Sequence, residues 1–506
     1  MPMEALKKSI ESALHQAQLD CQVGDWAAVV TACEAAIAQC RQCLSNQTSD
    51  AQPGPNQAAA ALHQAKGDLF KSQGELSAAI ASYERALALS PKVASDLTVP
   101  ERSDLQTALG EIYCQQAQSL QQSGHALAAT QAYLKALRHQ PRLFTAYSRL
   151  RYNLMRYDIP RGDPLLKEVV GTCQTILAQH PDISPARLTL GYAFTRLGML
   201  SAAIDCYRAL SDLTQRSRRL DRQHLDPQRL ESAAARSPQR RAPDFIIIGA
   251  EKCGTTSLHQ YLRQHPAVIP PIEKEIDFFD LEYSCGLDWY LAHFPASASS
   301  ADALQTASSQ TAWITGETSA NYLYSDVAPA RVFKHFPTIK LAVILRNPID
   351  RTLSRYSMMV RNGAEKRSLK TAITAEITQI QQAITGEDIP WPILNRCRHV
   401  GNSLYYHHLK RWLALFSPAQ LLVLKSEDLF ARPQQTLQQF CHQLGLTADL
   451  PEQSYPQHNA GKYPSADADI RQQLADFFAP HNRQLETLLG QSFNWNIPTS
   501  PTDTAP

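Results

Sequence analysis

A recurring set of small residues, aromatics and prolines constrains the first 213 positions of this 506-residue chain more tightly than any other feature. One unit holds Gly67, Phe70, Gly74, Ala79, Tyr83, Ala86 and Pro91. The pattern returns as Gly124, Ala129, Tyr133, Ala136 and Pro141, and again as Gly191, Phe194, Gly198, Ala203 and Tyr207. A weaker copy has Gly24, Trp26, Cys33 and Ala36, and a partial one ends with Cys173, Ile176 and Pro181. Small residues let two helices approach closely, and an aromatic fills the seam. A glycine serves the turn, and proline stops the second helix. The background is rich in Ala, Gln and Leu, which favour helix. The first two copies stand 50 residues apart, so insertions such as Lys92–Asp104 must separate some units.

This spacing resembles the tetratricopeptide repeat, whose helix–turn–helix units stack into a solenoid. The resemblance implies an all-α solenoid over residues 1–213 and a protein partner docked on it. An ordinary helical bundle is the alternative.

Residues 214–243 read as an Arg-rich linker. Eight arginines (216, 218, 219, 222, 229, 236, 240 and 241) face Asp221, Asp226 and Glu231, a net of +5. Few large apolar residues interrupt them, so the expectation is a solvated tether between separately folding domains. Recruitment of a membrane or polyanion is the other reading. The whole chain nets only +2, which argues against an extended grip on nucleic acid. The N-terminus has no apolar core of a signal peptide, and no apolar run is long enough to span a bilayer. A cytoplasmic protein without a transmembrane segment is the expectation. The eleven cysteines are scattered, and Cys40 and Cys43 read as helical neighbours. His407, His408 and His458 lack metal-ligand spacing, so no metal is expected.

From Asp244 the texture changes. Apolar runs at 245–248, 341–345 and 421–424 read as buried strands with helices between them. The alternation predicts an α/β domain over 244–496 with a mainly parallel sheet, followed by a frayed tail at 497–506. Just after the first strand stands Gly249-Ala-Glu-Lys252-Cys253-Gly254-Thr255-Thr256-Ser257. A strand, a glycine-bounded loop and a helix opening with hydroxyl residues form a P-loop-like anion cradle of backbone N–H groups. The nucleotide-kinase loop is the rival, but it needs Gly-Lys-Ser/Thr, and here Thr255 follows Gly254. A kinase would also end a later strand on an acid that holds Mg²⁺. The second and third strands end instead on Arg346 and Lys425. After Arg346, Asn347 is suited to cap a helix and Pro348 to open it, with Arg351 and Ser354 three apart on one face. Arg346 and Ser354 could then converge on one phosphate.

These residues resemble the sulfotransferases that use 3′-phosphoadenosine 5′-phosphosulfate (PAPS), above all the heparan-sulfate type acting on carbohydrates. The loop from Lys252 through Cys253, Gly254, Thr255 and Thr256 to Ser257 is similar to the family's 5′-phosphosulfate loop. Arg346 to Ser354 is similar to its 3′-phosphate site, and Gly461-Lys462 stands where the family closes over the cofactor. Lys274-Glu275-Ile-Asp277-Phe-Phe-Asp280 resembles the element with the catalytic carboxylate, and Glu317-Thr318 a second substrate-side element. Pro480-His-Asn482 through Trp495 also fits. Two positions depart: Asp277 stands where the family usually has His, and Thr318 where it has Lys.

The resemblance implies transfer of a sulfuryl group from PAPS to a hydroxyl or amine, most naturally on carbohydrate. Adenosine 3′,5′-bisphosphate would be the product, Glu275 the general base and Lys252 the stabiliser of the leaving oxygen. Lys274, Asp277, Glu317 and Thr318 would face the acceptor. Tyrosylprotein sulfation and a nucleotide-binding repeat scaffold without turnover are the alternatives.

Overall fold

The structure is a computed structural model. It describes residues 35, 54–90, 102–157, 159–223, 240–297, 313–386, 388–446, 455–457 and 468–495. The weak repeat copy near Gly24, the Cys40–Cys43 pair, His458, Gly461, Lys462 and the tail 497–506 lie outside the described residues. The chain divides into two compact units, Met1–Ala203 and Ile204–Pro506.

The first unit is helical. Its described helices are α1 (Gly54–Ser72), α2 (Leu76–Leu89), α3 (Arg102–Gln122), α4 (Ala126–His139), α5 (Phe144–Arg156), α6 (Pro164–Gln179) and α7 (Ser184–Leu197). The repeat positions serve as their spacing requires. Gly74, Gly124 and Gly198 adopt positive φ of 77°, 83° and 76° at the helix turns, a conformation that favours glycine. A Cβ on Gly67 would stand 2.9 Å from the Tyr83 ring, so glycine is what lets α1 close on α2. Tyr83, Tyr133, Ala79, Ala86, Ala129 and Ala136 are fully buried. The expected insertion is partly helix, because Arg102 opens α3.

The expected linker begins inside a helix. α8 runs Leu200–Gln223 without a break at 213. From Ile204 onward it belongs to the second unit. There Asp212 pairs with Arg240 at 2.7 Å, Gln215 donates to the Ala296 carbonyl at 3.1 Å, and the Tyr207 ring lies 4.2 Å from that of His293. At the other end, Arg241 pairs with Asp244 and lies over Trp313. The run of arginine masked the helix because their charge suggests solvent, yet long basic side chains can pack along their stems. Residues 224–239 lie outside the described residues.

The second unit is built on a four-stranded sheet in the order β2-β1-β3-β4, with every pairing parallel. Its strands are β1 (Phe245–Gly249), β2 (Gly316–Thr318), β3 (Lys340–Leu345) and β4 (Leu421–Lys425). The apolar runs at 245, 341 and 421 supply three of them. β2 has three residues, too few for a periodicity to show. Because the strands all run parallel, the loops after β1, β2 and β3 open at one end of the sheet. That is where parallel sheets hold ligands. Helix α9 (Thr255–Gln264) follows β1, and α10 (Leu287–Leu291) and α11 (Ala328–His335) flank β2 in sequence. α12 (Pro348–Arg361) follows β3 and shares a core with α13 (Leu369–Ala383), through Leu353, Ile373, Ile377 and Phe478. The short α14 (Trp391–Arg396) and α15 (Tyr405–Leu413) lead to β4, which α16 (Ser426–Ala431), α17 (Pro433–Leu444) and α18 (Ala468–Leu489) follow.

Candidate active site

The loop after β1 is shaped by close packing. A Cβ on Gly249 would meet Leu323 at 2.8 Å, and one on Gly254 would meet Phe430 at 3.0 Å. Lys252 has φ of 70° and Gly254 φ of 97°, so the chain turns sharply into α9. Ala250 N–H donates to the Ile344 carbonyl at 2.9 Å, and Glu251 N–H to the Tyr324 hydroxyl at 3.1 Å. The first amides of α9 have no partner inside the helix and are the natural anion donors.

The side chains of this loop divide. Thr256 and Lys252 are half-buried, whereas Cys253, Thr255 and Ser257 are buried. The Cys253 thiol points inward, 3.5 Å from the Tyr405 hydroxyl, and burial pushes its pKa up to about 11. Only its backbone remains for an anion. Ser257 bonds the Tyr261 hydroxyl one turn further along.

The helix after β3 forms as its sequence demands. Asn347 caps it by accepting from Ile349 N–H at 3.0 Å, and Pro348 takes the first turn. Arg346 lies just past the strand and donates to the Lys252 carbonyl at 3.4 Å, so the two expected phosphate elements are neighbours. Tyr405 holds the Arg346 carbonyl at 3.0 Å. Ser354 is fully buried in α12. Arg351 turns away from any ligand role: its side chain is wholly buried and binds Glu251 and the carbonyls of Arg398 and His399. Lys425 is also engaged elsewhere, donating to the Ser492 carbonyl at 2.6 Å.

The acceptor-side element lies beside β2. Glu275 has φ of 63°, and its N–H donates to the Thr318 carbonyl at 2.9 Å. Its carboxylate pairs with Lys274 and is 43% exposed, so it is open to a substrate. Thr318 Oγ1 lies 3.2 Å from His259 Nδ1. Burial, then the charges of Lys274 and Arg263, hold the His259 pKa down to about 3, so its imidazole is neutral. His259 had no signal in the sequence beyond its place on the first turns of α9.

Asp277 is buried, and its Oδ1 has no hydrogen-bond partner among the described residues. Burial, then Asp280, Glu275 and Glu317, push its carboxyl well above the usual range. Glu317 differs from its expected role. It is enclosed, and it accepts from Tyr290 at 2.6 Å, Ser319 at 2.6 Å and Tyr322 at 2.7 Å. Its oxygens serve the core, and it reaches the acceptor element through Ser319, which accepts from Asp277 N–H, and through Tyr322, which accepts from Phe279 N–H.

The adjacent His407 and His408 take different partners. His407 faces His481 at 3.4 Å, and His408 bonds the Gly401 carbonyl at 2.9 Å.

The fold and loop define an α/β domain with a turn of helix-start amides, suited to an anion, at the end of its first strand. Residues 242–467 match the family described as sulfotransferase domain, and residues 60–93 match a tetratricopeptide repeat. The chain thus joins a segment similar to the tetratricopeptide repeat to a domain that matches the sulfotransferase family and resembles heparan-sulfate-type enzymes. Among curated relatives, the bifunctional heparan sulfate N-deacetylase/N-sulfotransferase 2 of Bos taurus is 31% identical over 284 residues, 50% of this chain and 30% of that protein. The corresponding enzyme 1 of Mus musculus is 31% identical over 280 residues, 49% of this chain and 30% of that protein. The chain thus spans about a third of the length of the curated relatives it matches. A sulfotransferase of known structure from Alicyclobacillus acidocaldarius is 28% identical and covers 51% of this chain and 100% of its own, with a TM-score of 0.38.

Proposed function

We propose that the C-terminal domain transfers a sulfuryl group from PAPS to an amine or hydroxyl of a carbohydrate. The observation that carries this reading is the approach of Arg346 to the Lys252 carbonyl, which gathers two basic elements at the ends of β1 and β3. The amide cradle suits a phosphate-bearing donor, and the chain's own groups divide the work. Backbone N–H groups from Gly254 to Ser257 and the Thr256 hydroxyl would hold the 5′-phosphate. Arg346, with Ser354 and the Gly461-Lys462 loop, would hold the 3′-phosphate. Lys252 would steady charge on the bridging oxygen as its bond to sulfur breaks and adenosine 3′,5′-bisphosphate departs. The acceptor oxygen or nitrogen forms the new bond to sulfur, and Glu275 takes its proton. Lys274, Thr318 and Asp277 would border the acceptor. The repeat unit favours a second reading, in which a docked protein is sulfated on tyrosine.

The test is transfer of labelled sulfate from PAPS to panels of amino-sugar glycans, hydroxyl-only glycans and tyrosine peptides. Label on glycan is the expected result. Label on peptide alone supports the second reading. Binding of nucleotide without transfer to any panel leaves the scaffold reading.

A further inference from the structure

Loop 272–275 carries the proposed base, and two backbone bonds hold it. Glu275 N–H donates to the Thr318 carbonyl at 2.9 Å, and Ile272 N–H donates to the His293 carbonyl at 3.0 Å. The first anchor belongs to strand β2. The second lies in the turn after α10, a helix of five residues, and so needs its own support.

That support comes from side chains. His293 is fully buried, with Nδ1 2.9 Å from the Trp289 carbonyl and Nε2 3.7 Å from the Glu273 carboxylate. Burial pushes its pKa down to about 4, so at neutral pH its packing is that of a neutral ring. Tyr207 packs on that ring with centroids 4.2 Å apart, and meets Trp289 edge-on at 5.7 Å. Tyr207 is fully buried, and it lies on α8, outside the span that matches the sulfotransferase family. α8 is fixed beside it by Asp212–Arg240, whose guanidinium side chain is only 7% exposed, and by Gln215 on the Ala296 carbonyl.

We propose that Tyr207 is a positioning residue for the catalytic loop: its ring holds His293, and the His293 carbonyl holds loop 272–275 in register. The inference rests on the reading of Glu275 as the base. It also makes α8, which precedes the span that matches the sulfotransferase family, a working part of the transfer site. Positional errors of about an ångström can cost about 10²-fold in rate.

The test uses the full chain with Tyr207→Leu and Tyr207→Phe, read by hydrogen exchange and by sulfate transfer. In Tyr207→Leu, exchange of the Ile272 and Glu275 amides should rise about tenfold while the β1 amides stay protected. Its kcat should fall about 10- to 100-fold, with affinity for adenosine 3′,5′-bisphosphate unchanged. Tyr207→Phe, which keeps the ring, should restore both. Tyr207→Met reads the same if the leucine variant does not fold. Unchanged exchange at 272 and 275, a rise spread equally over β1, or failure of phenylalanine to rescue would each overturn the proposal. If exchange responds as expected but the wild-type chain transfers no sulfate, the brace stands and the sulfotransfer reading falls.

Discussion

Arg351 on α12 places Nη2 3.0 Å from a carboxylate oxygen of Glu251, in the middle of the loop that follows β1. Arg355, one turn further along, donates to the other oxygen at 2.7 Å. Burial pushes the Glu251 carboxyl up, but the guanidinium groups of Arg355 and Arg351 outweigh it and hold it below the usual carboxylate value. The two phosphate elements proposed for the donor are thereby tied together by a charge network that the donor itself does not supply.

Glu251→Gln should therefore destabilise the domain. It leaves a fully buried guanidinium without its counter-charge, and breaking one side of a buried pair typically costs about 3–5 kcal/mol. Urea denaturation of the variant should show that loss at neutral pH. A stability within about 0.5 kcal/mol of wild type would mean that the carbonyls of Arg398 and His399 suffice for Arg351.

Arg346 has the opposite character. Among the described residues its side chain makes a single long hydrogen bond, to the Lys252 carbonyl, so its removal should leave the fold intact. Loss of a charged phosphate contact costs about 1.5–3 kcal/mol, roughly 10- to 150-fold in affinity. Calorimetry with adenosine 3′,5′-bisphosphate should show that loss in Arg346→Ala. Wild-type affinity in the variant, or preference of the parent for ATP–Mg²⁺, would remove the assignment.

Much of this site was legible because its chemistry depends on local order. The loop from Gly249 to Ser257, the cap at Asn347 and the repeat glycines are each fixed by residues within a turn or two, where spacing carries information. Glu251, Arg351 and Tyr405 were not legible as partners. They are 100 residues apart or more along the chain in their key contacts with the loop, and only the sheet topology brings them together. Glu317 shows the same limit. The sequence places it in the right element but cannot say which face of β2 is enclosed. The part of α8 beyond residue 213 departs from the expected tether for a physical reason: arginine content suggests solvent, while the buried helical stripe of Tyr207 and Ser211 continues to Gln215.

Asp280 offers a pH test. Burial raises its pKa to about 7, with Glu317 adding to the effect, while the Leu281 and Asp280 amides and Arg331 oppose it. In the unfolded chain it titrates near its ordinary value of about 3.9. Between those values the folded state keeps a proton that the unfolded state has released, so stability falls as pH rises and stays lowered above pH ~7. Asp280→Asn removes that dependence and also relieves Asp277, whose carboxyl Asp280 helps to push up. Both effects have the same sign. The variant should gain on wild type by more than about 1 kcal/mol between pH 4 and pH 8. A gap that does not change across that range in urea melts would show that the Asp280 carboxyl is not held protonated.

Glu275→Gln should separate chemistry from binding. The substitution keeps the shape and the backbone bond to Thr318, and the side chain is open enough that the fold does not depend on its charge. A positioned general base contributes about 10²–10⁴-fold, so turnover should fall within that range while nucleotide affinity stays unchanged. Lys252→Ala should lower both, because its ammonium would face the donor. Single-turnover sulfate transfer beside nucleotide titration distinguishes the two variants. If Glu275→Gln turns over like wild type on a verified acceptor, the proton goes elsewhere. Asp277, with its unpartnered oxygen, is then the next candidate, and Glu317 is not, because three hydroxyl groups already occupy its carboxylate.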